Sequence, residues 1–345
     1  METDTRTALV GFGYWGANVA RNLSAARGIE LVGVADADAD RRQAAAAQFP
    51  GLSTWVDLAA VLDDPKVEAV VLATPAATHG PMALQVLASG RHVLVEKPLA
   101  LEVDQAQDVA ELAGETGLVA MVGHTFLYSA PVIKLREYVE SGQLGAVQYL
   151  YSQRLSLGRI RTDCNALWNF APHDVSIMLY VLDERPVEVS ARGFSFIQAG
   201  IEDVFFASLT FESGIGANLH VSWIDPRKTR LLTVVGDDKM AVYDDVSPDR
   251  KIHLFDAGVA RSGNPSLGEY SSLGDFQWRT RAGDIVIPRI SLVEPLLVEM
   301  EAFATACQTG DRPRADARRG VDVIRTLTAI DHSAKQGGAP VEVAR

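Results

Sequence analysis

The sequence predicts an α/β chain in two parts: a doubly wound parallel sheet, then a region of helices and antiparallel strands whose sheet buries one face. Three observations predict it. Up to residue 124, short apolar runs alternate with segments of helical period. The first run opens into Gly11, Gly13 and Gly16, a tight turn before a helix. From residue 187 the apolar period becomes that of a half-buried strand. At 345 residues the chain is long for one core. The expected division is 1–124 and 125–345, with the C-terminal helices able to pack back on the first part.

Taken in order, Ala8–Val10 is a strand, and Ala17, Val19, Ala20 and Leu23 recur at helical spacing behind the glycines. Leu31–Ala35 is a second strand ending in Asp36, and "ADRRQAAAAQF" is a helix rich in alanine. "VEAVVLATPAATH" is a strand that turns at Thr74-Pro75, and "GPMALQVLASG" is a helix stopped by Gly90. "HVLVEKP", "EVDQAQDVAELAGETG" and "LVAMVGH" continue as strand, helix and strand. "SAPVIKLREYVESGQLG" is a helix closed by Gly142 or Gly145, and "AVQYLYSQRLSLG" alternates like a strand. "APHDVSIMLYVLD" predicts a short helix starting after Pro172, which puts His173 and Asp174 in its first turn. Hairpins are expected through Glu212-Ser213-Gly214 and at Gly236-Asp237, then a loop over 261–290, then two closing helices.

The bulk numbers exclude several classes. A net charge of −12 and a pI near 5.1 argue against a nucleic-acid partner. Two cysteines, Cys164 and Cys307, make neither a disulfide framework nor a metal cluster. No two histidines have metal-ligand spacing, so no metal is expected. There is no leader-like N-terminus and no apolar run near the ~20 residues of a membrane helix, so a cytoplasmic protein is expected.

Three motifs carry chemistry. Asp36 lies 20 positions after Gly16, the spacing of a dinucleotide site. Gly11 and Gly13 let backbone approach a pyrophosphate at a helix N-terminus, with Phe12, Tyr14 and Trp15 in the same turn. Asp36 would accept from ribose hydroxyls and repel a 2′-phosphate, which favours NAD; Arg41 and Arg42 keep NADP possible. The second motif is Glu96-Lys97-Pro98, at the tip of a buried strand where such sheets bind ligands. Pro98 biases Lys97 toward extended geometry, and an X–Pro bond can also be cis. The bland alternative is a solvated ion pair. The third is His173, a general base if neutral beside a substrate hydroxyl, or else a satisfied buried histidine. Thr74 and His79, at a strand tip, join the cofactor set with Glu96 and Lys97; His124 and Tyr128 are candidates on the substrate side.

G-x-G-x-x-G at 11–16, "ATPAATH" at 73–79, "EKP" at 96–98 and a histidine in a later helix occur here together. In that combination the chain resembles the Gfo/Idh/MocA oxidoreductases over nearly its whole length. The resemblance implies a Rossmann domain, a C-terminal α+β domain with a large, open, mostly antiparallel sheet that often forms a dimer or tetramer interface, and Lys97 and His173 as the catalytic pair. It departs from the family at Asn169, where many members have an aspartate four residues before the histidine. An asparagine there, with the "W…APHD" wording, resembles the nucleotide-sugar 3-dehydrogenase subgroup. Arg159 and Arg161 would then grip a diphosphate and Asn165 the sugar, unless these arginines are simply solvated. A free inositol or sugar dehydrogenase is the alternative. A non-catalytic dinucleotide sensor is a third, which would need neither Lys97 nor His173.

Overall fold

A computed structural model describes residues 4–158, 160–260 and 279–344. The chain forms two compact units. The first comprises Met1–Ser129 with Leu292–Thr328, the second Ala130–Ser291 with Ala329–Arg345.

In the first unit, β1 (Thr5–Val10), β2 (Ile29–Ala35), β3 (Ser53–Trp55), β4 (Ala69–Leu72), β5 (His92–Glu96) and β6 (Ala120–Gly123) form one parallel sheet in the order 3-2-1-4-5-6. Helices α1 (Tyr14–Ala25), α2 (Ala39–Gln48), α3 (Leu58–Leu62), α4 (His79–Ala88) and α5 (Val103–Thr116) connect the strands. Ala69–Leu72 and Val93–Val95 have no exposed surface, as strands covered on both faces require. The order reverses between β1 and β4, so their C-terminal tips open the crevice where such sheets bind ligands. β3 and α3 are too short to give a periodic signal in sequence. The unit also takes in the helix Pro295–Thr309 and most of Ala317–Lys335.

The second unit contains α6 (Ala130–Glu140), β7 (Val147–Leu157), α7 (Ala166–Leu182), β8 (Pro186–Phe194), β9 (Val204–Phe211), β10 (Gly216–Ser222), β11 (Ile224–Gly236), β12 (Met240–Asp244), β13 (Ile252–Phe255), β14 (Gly258–Ala260), β15 (Arg279–Arg281) and β16 (Ile285–Val286). Helix α8 (Pro295–Thr309) belongs to the first unit, α9 (Ala317–Lys335) begins in the first unit and ends in the second, and β17 (Val341–Glu342) is the last strand. Nine strands form a sheet in the order 16-13-12-11-7-10-9-8-17, antiparallel except where β10 runs parallel to β7. The hairpins β9–β10 and β11–β12 fall at the two expected turns. β9 alternates buried and exposed residues. Helix α7 lies on β7, β9 and β10, while Tyr149, Tyr151, Phe194 and Phe206 are exposed.

Two expectations need correction. Helix α7 does not start after Pro172: it starts at Ala166, capped by the Asn165 side chain accepting from the Trp168 N–H, and runs through Pro172. A proline in a helix interior removes one N–H and crowds the preceding turn. Here apolar burial of nearly every residue from Ala171 to Val181 outweighs that loss. His173 and Asp174 therefore sit mid-helix, and a helix-end argument for either does not apply. The stretch read as a loop over 261–290 contains β15 and β16, pairing with β14 and β13. Residues 261–278 lie outside the described residues.

Candidate active site

The glycine turn closes β1 onto the tip of β4. Gly11 has φ +98°, and a Cβ there would meet the Ala73 carbonyl oxygen at 2.5 Å. A Cβ on Gly16 would meet the Gly11 carbonyl oxygen at 2.1 Å, so the start of α1 packs directly on the turn. No side chain caps α1, which leaves its first N–H groups for a ligand. Asp36, at the tip of β2, is 9% exposed; its carboxylate accepts from the Phe12 N–H at 2.7 Å and the Asp38 N–H at 2.9 Å. Each oxygen keeps a lone pair for a ribose hydroxyl. Arg41 stands 3.7 Å from Asp36. Tyr14 is exposed, and Phe12 is buried edge-on against Phe49. An uncapped helix, a turn that excludes side chains and a carboxylate beyond it fit the pyrophosphate and ribose of NAD.

At the tip of β5, Glu96 is buried and Lys97 is half-buried among buried neighbours; the Lys97–Pro98 peptide is cis. The Trp15 indole N–H donates to Glu96 Oε1 at 2.5 Å, tying the start of α1 to β5. Burial pushes the Glu96 carboxyl above its ordinary value, against the pull of Trp15 and of the Lys97 charge. Glu299 of α8 is wholly buried, accepts from the Thr125 hydroxyl at 2.8 Å, and is raised further, by burial and by the Glu96 charge. His124, at the end of β6, is 1% exposed, and neither ring nitrogen has a hydrogen-bond partner among the described residues. Burial, with the Lys97 charge, pushes it down to about 3, so it is a neutral imidazole in the working range. Each of these shifts favours the uncharged form of a buried group.

His79 is buried, with Nδ1 at 2.7 Å from the Pro98 carbonyl and Nε2 at 2.9 Å from the Thr74 carbonyl. It braces the loops after β4 and β5 from inside, and burial lowers its pKa. The Thr74 hydroxyl lies 2.8 Å from that of Thr78. Tyr128 is a core residue, its hydroxyl accepting from the Ala315 N–H at 3.3 Å.

In the second unit, His173 is half-buried in a stretch of α7 otherwise buried from Ala171 to Val181. Asn169, also half-buried, is four residues earlier and so on the same face. The Asn165 amide is committed: its oxygen caps α7 and its nitrogen donates to Glu202 at 3.0 Å, so it is a structural cap before it is a sugar ligand. The Arg161 fork closes on Asp163, at 2.8 and 2.5 Å, so a diphosphate would have to displace that carboxylate. Arg159 lies outside the described residues. Sequence reasoning missed Glu299, which reads as one more acidic residue of a helix, and the link from Trp15 to Glu96, which are 81 positions apart.

Residues 5–124 match a family described as an oxidoreductase family with an NAD-binding Rossmann fold, and residues 132–242 match the GFO/IDH/MocA C-terminal domain. Among curated proteins, the chain is 28% identical over 260 residues to the UDP-N-acetylglucosamine 3-dehydrogenase of Acidithiobacillus ferrooxidans, covering 74% of this chain and 78% of that one. It is 28% identical over 238 residues to the scyllo-inositol 2-dehydrogenase (NAD(+)) of Bacillus subtilis, covering 66% and 69%. Among solved structures it is similar to GenD2 from gentamicin A biosynthesis in complex with NAD, at 26% identity and TM-score 0.81, covering 99% and 97%.

Proposed function

Since the chain belongs to the Gfo/Idh/MocA oxidoreductases, a family of NAD-dependent sugar and polyol dehydrogenases, we propose that it oxidises a ring secondary alcohol at C3 of a nucleotide-linked sugar, or reduces the corresponding ketone. The observation that carries the catalytic reading is Lys97, a half-buried ammonium at a strand tip beside the switch point of a parallel sheet. Bound NAD supplies the hydride acceptor. The turn at Gly11–Gly16 and Asp36 hold it. Lys97 hydrogen-bonds the reacting oxygen and stabilises the charge that develops there. His173 accepts the hydroxyl proton, and Asn169 on the same helix face orients the sugar. The similarity to a UDP-N-acetylglucosamine 3-dehydrogenase supports the substrate class.

A second reading, a cyclitol dehydrogenase, has its own support. The Arg161 fork is already paired with Asp163, and the chain is likewise 28% identical to a scyllo-inositol dehydrogenase, over a somewhat shorter stretch. In either case the exposed aromatic face of the nine-stranded sheet would be covered in a homodimer or homotetramer.

The test is the absorbance of reduced nicotinamide at ~340 nm with NAD and, separately, UDP-N-acetylglucosamine and scyllo-inositol. Turnover of the nucleotide sugar alone supports the first reading. Turnover of the cyclitol alone replaces it with the second. Lys97→Ala and His173→Ala should each lower kcat by about 10²–10⁴-fold. An unchanged kcat in either variant removes that residue from the mechanism.

A further inference from the structure

Helix α7 is weakest next to His173. Pro172 has no N–H for the Trp168 carbonyl, so the ladder lacks a bond one residue before the imidazole. Beyond His173 the backbone is held unusually well. The Ser176 hydroxyl donates to the His173 carbonyl at 2.8 Å. Asp174 turns into the sheet, where its carboxylate accepts from Arg154 Nε at 2.5 Å, Arg154 Nη2 at 3.4 Å and the Ser152 hydroxyl at 2.6 Å. The Arg154 and Asp174 side chains are 6% and 4% exposed. Ser152 and Arg154 are two apart on β7 and so share the face that α7 covers.

The charges continue sideways. Arg154 pairs in register with Arg230 of β11, a like-charge pair that is unfavourable by itself. Asp245 compensates: it accepts from Arg230 at 3.0 Å and from the Tyr243 hydroxyl at 3.0 Å, and its charge also acts on Arg154. Lys251 lies 3.9 Å from Asp245 at the outer end. The row therefore alternates in sign: Asp174, Arg154, Asp245, Arg230. Burial works against the Arg154 charge, and Asp174 together with Asp245 and Tyr243 outweighs it, leaving the guanidinium more firmly protonated than usual.

Stability does not account for this arrangement, because an apolar pair of similar volume usually serves a buried site as well or better. What an ion pair with a hydroxyl adds is direction. Apolar contacts between α7 and the sheet tolerate a small slide or rotation, whereas a forked guanidinium and a hydroxyl on one carboxylate do not. His173 is the next residue, about 100° around the helix. We infer that Asp174, clamped by Arg154 and Ser152, is a positioning residue that sets the register of α7 on β7 and so aims His173, restoring the order that Pro172 removes. The inference rests on the reading of His173 as the proton acceptor.

The test is the double variant Arg154→Met/Asp174→Leu, which replaces the clamp with an apolar pair. The expected result is a Tm equal to or above wild type, a kcat about 100-fold lower, and little change in NAD affinity, as for a small misplacement of a catalytic group. Amide exchange over residues 170–177 should quicken while that over β9 and β10 does not. A stable double variant with wild-type kcat overturns the inference. If the double variant does not fold, Ser152→Ala decides: a several-fold lower kcat at unchanged Tm supports the clamp, and an unchanged kcat refutes it. Absence of turnover in the wild type would instead sink the functional reading. The clamp is then judged from the His173 imidazole NMR signal, which should shift or broaden in the double variant; an unaltered signal counts against it.

Discussion

Trp15→Phe removes one bond, and its effect should depend on pH in a way that packing cannot imitate. The indole N–H donates to Glu96 Oε1 at 2.5 Å, and Glu96 is buried with its pKa raised by burial. A raised carboxyl pKa means that the folded chain binds more protons than the unfolded chain between the two pKa values. Stability therefore falls as pH rises through that window, from the ordinary carboxylate range upward. The Trp15 bond opposes the fall, because it favours the ionised form. A hydrogen bond to a neutral acid contributes about 0.5–1.5 kcal/mol, and one to a carboxylate about 1.5–3 kcal/mol. The variant should thus lose about 1 kcal/mol more at high pH than at low pH. At roughly 1.4 °C per kcal/mol for a chain of 345 residues, the Tm gap between wild type and Trp15→Phe should widen by about 1–2 °C. Trp15 is 43% exposed, so the lost ring surface contributes a modest offset that does not vary with pH. Lys97, whose charge acts on Glu96, and Glu299, on which the Glu96 charge acts, are present in both proteins and cancel in the difference. The assay is calorimetry or circular dichroism between about pH 5 and about pH 8. In a Glu96→Gln background the gap should be flat. A constant gap in the native background, or one that narrows as pH rises, would refute the reasoning.

Other consequences are as specific. His124, held at about 3 by burial and Lys97, should show no imidazole titration by NMR down to about pH 4.5. Because its folded pKa is depressed, its contribution to stability is complete above the ordinary histidine range and is lost as pH falls below it; a titration near the ordinary value would show that the site is wet. Asp36→Asn should weaken NAD by about 10-fold and narrow the preference over NADP, since a charge that repels a 2′-phosphate is gone; dissociation constants from tryptophan fluorescence check it, and an unchanged ratio would place the ribose elsewhere. Phe206→Lys puts a charge between Phe194 and His220 on the exposed sheet face. It should shift the molecular mass from light scattering toward the monomer, and an unshifted mass would move the interface off that face.

Much of the first unit was legible in the chain because its signals are local. A buried parallel strand is a continuous apolar run, a glycine turn is three residues in fixed spacing, and Asp36 stands at a set distance from Gly16. Lys97 could be read for the same reason, as a charge ending an apolar run. The start of α7 could not. Pro172 is a strong local stop, and only the burial of the surrounding residues against the second sheet explains why the helix runs through it. The tasks of Asn165 and Arg161 were equally hidden, since an asparagine cap and an arginine closed on Asp163 look in sequence like free hydrogen-bonding groups.

What the sequence determined by itself, then, was the fold class and the glycine turn with Asp36 at its set distance, because periodicity and turn chemistry act over a few residues. Tertiary structure decided which polar groups are already spent. Trp15 meets Glu96 across 81 positions, Thr125 meets Glu299 across 174, and Arg154 meets Asp174 only where a helix lies on a strand. Burial makes those contacts consequential, because removing water is what shifts a carboxyl, neutralises an imidazole and gives a guanidinium fork its direction.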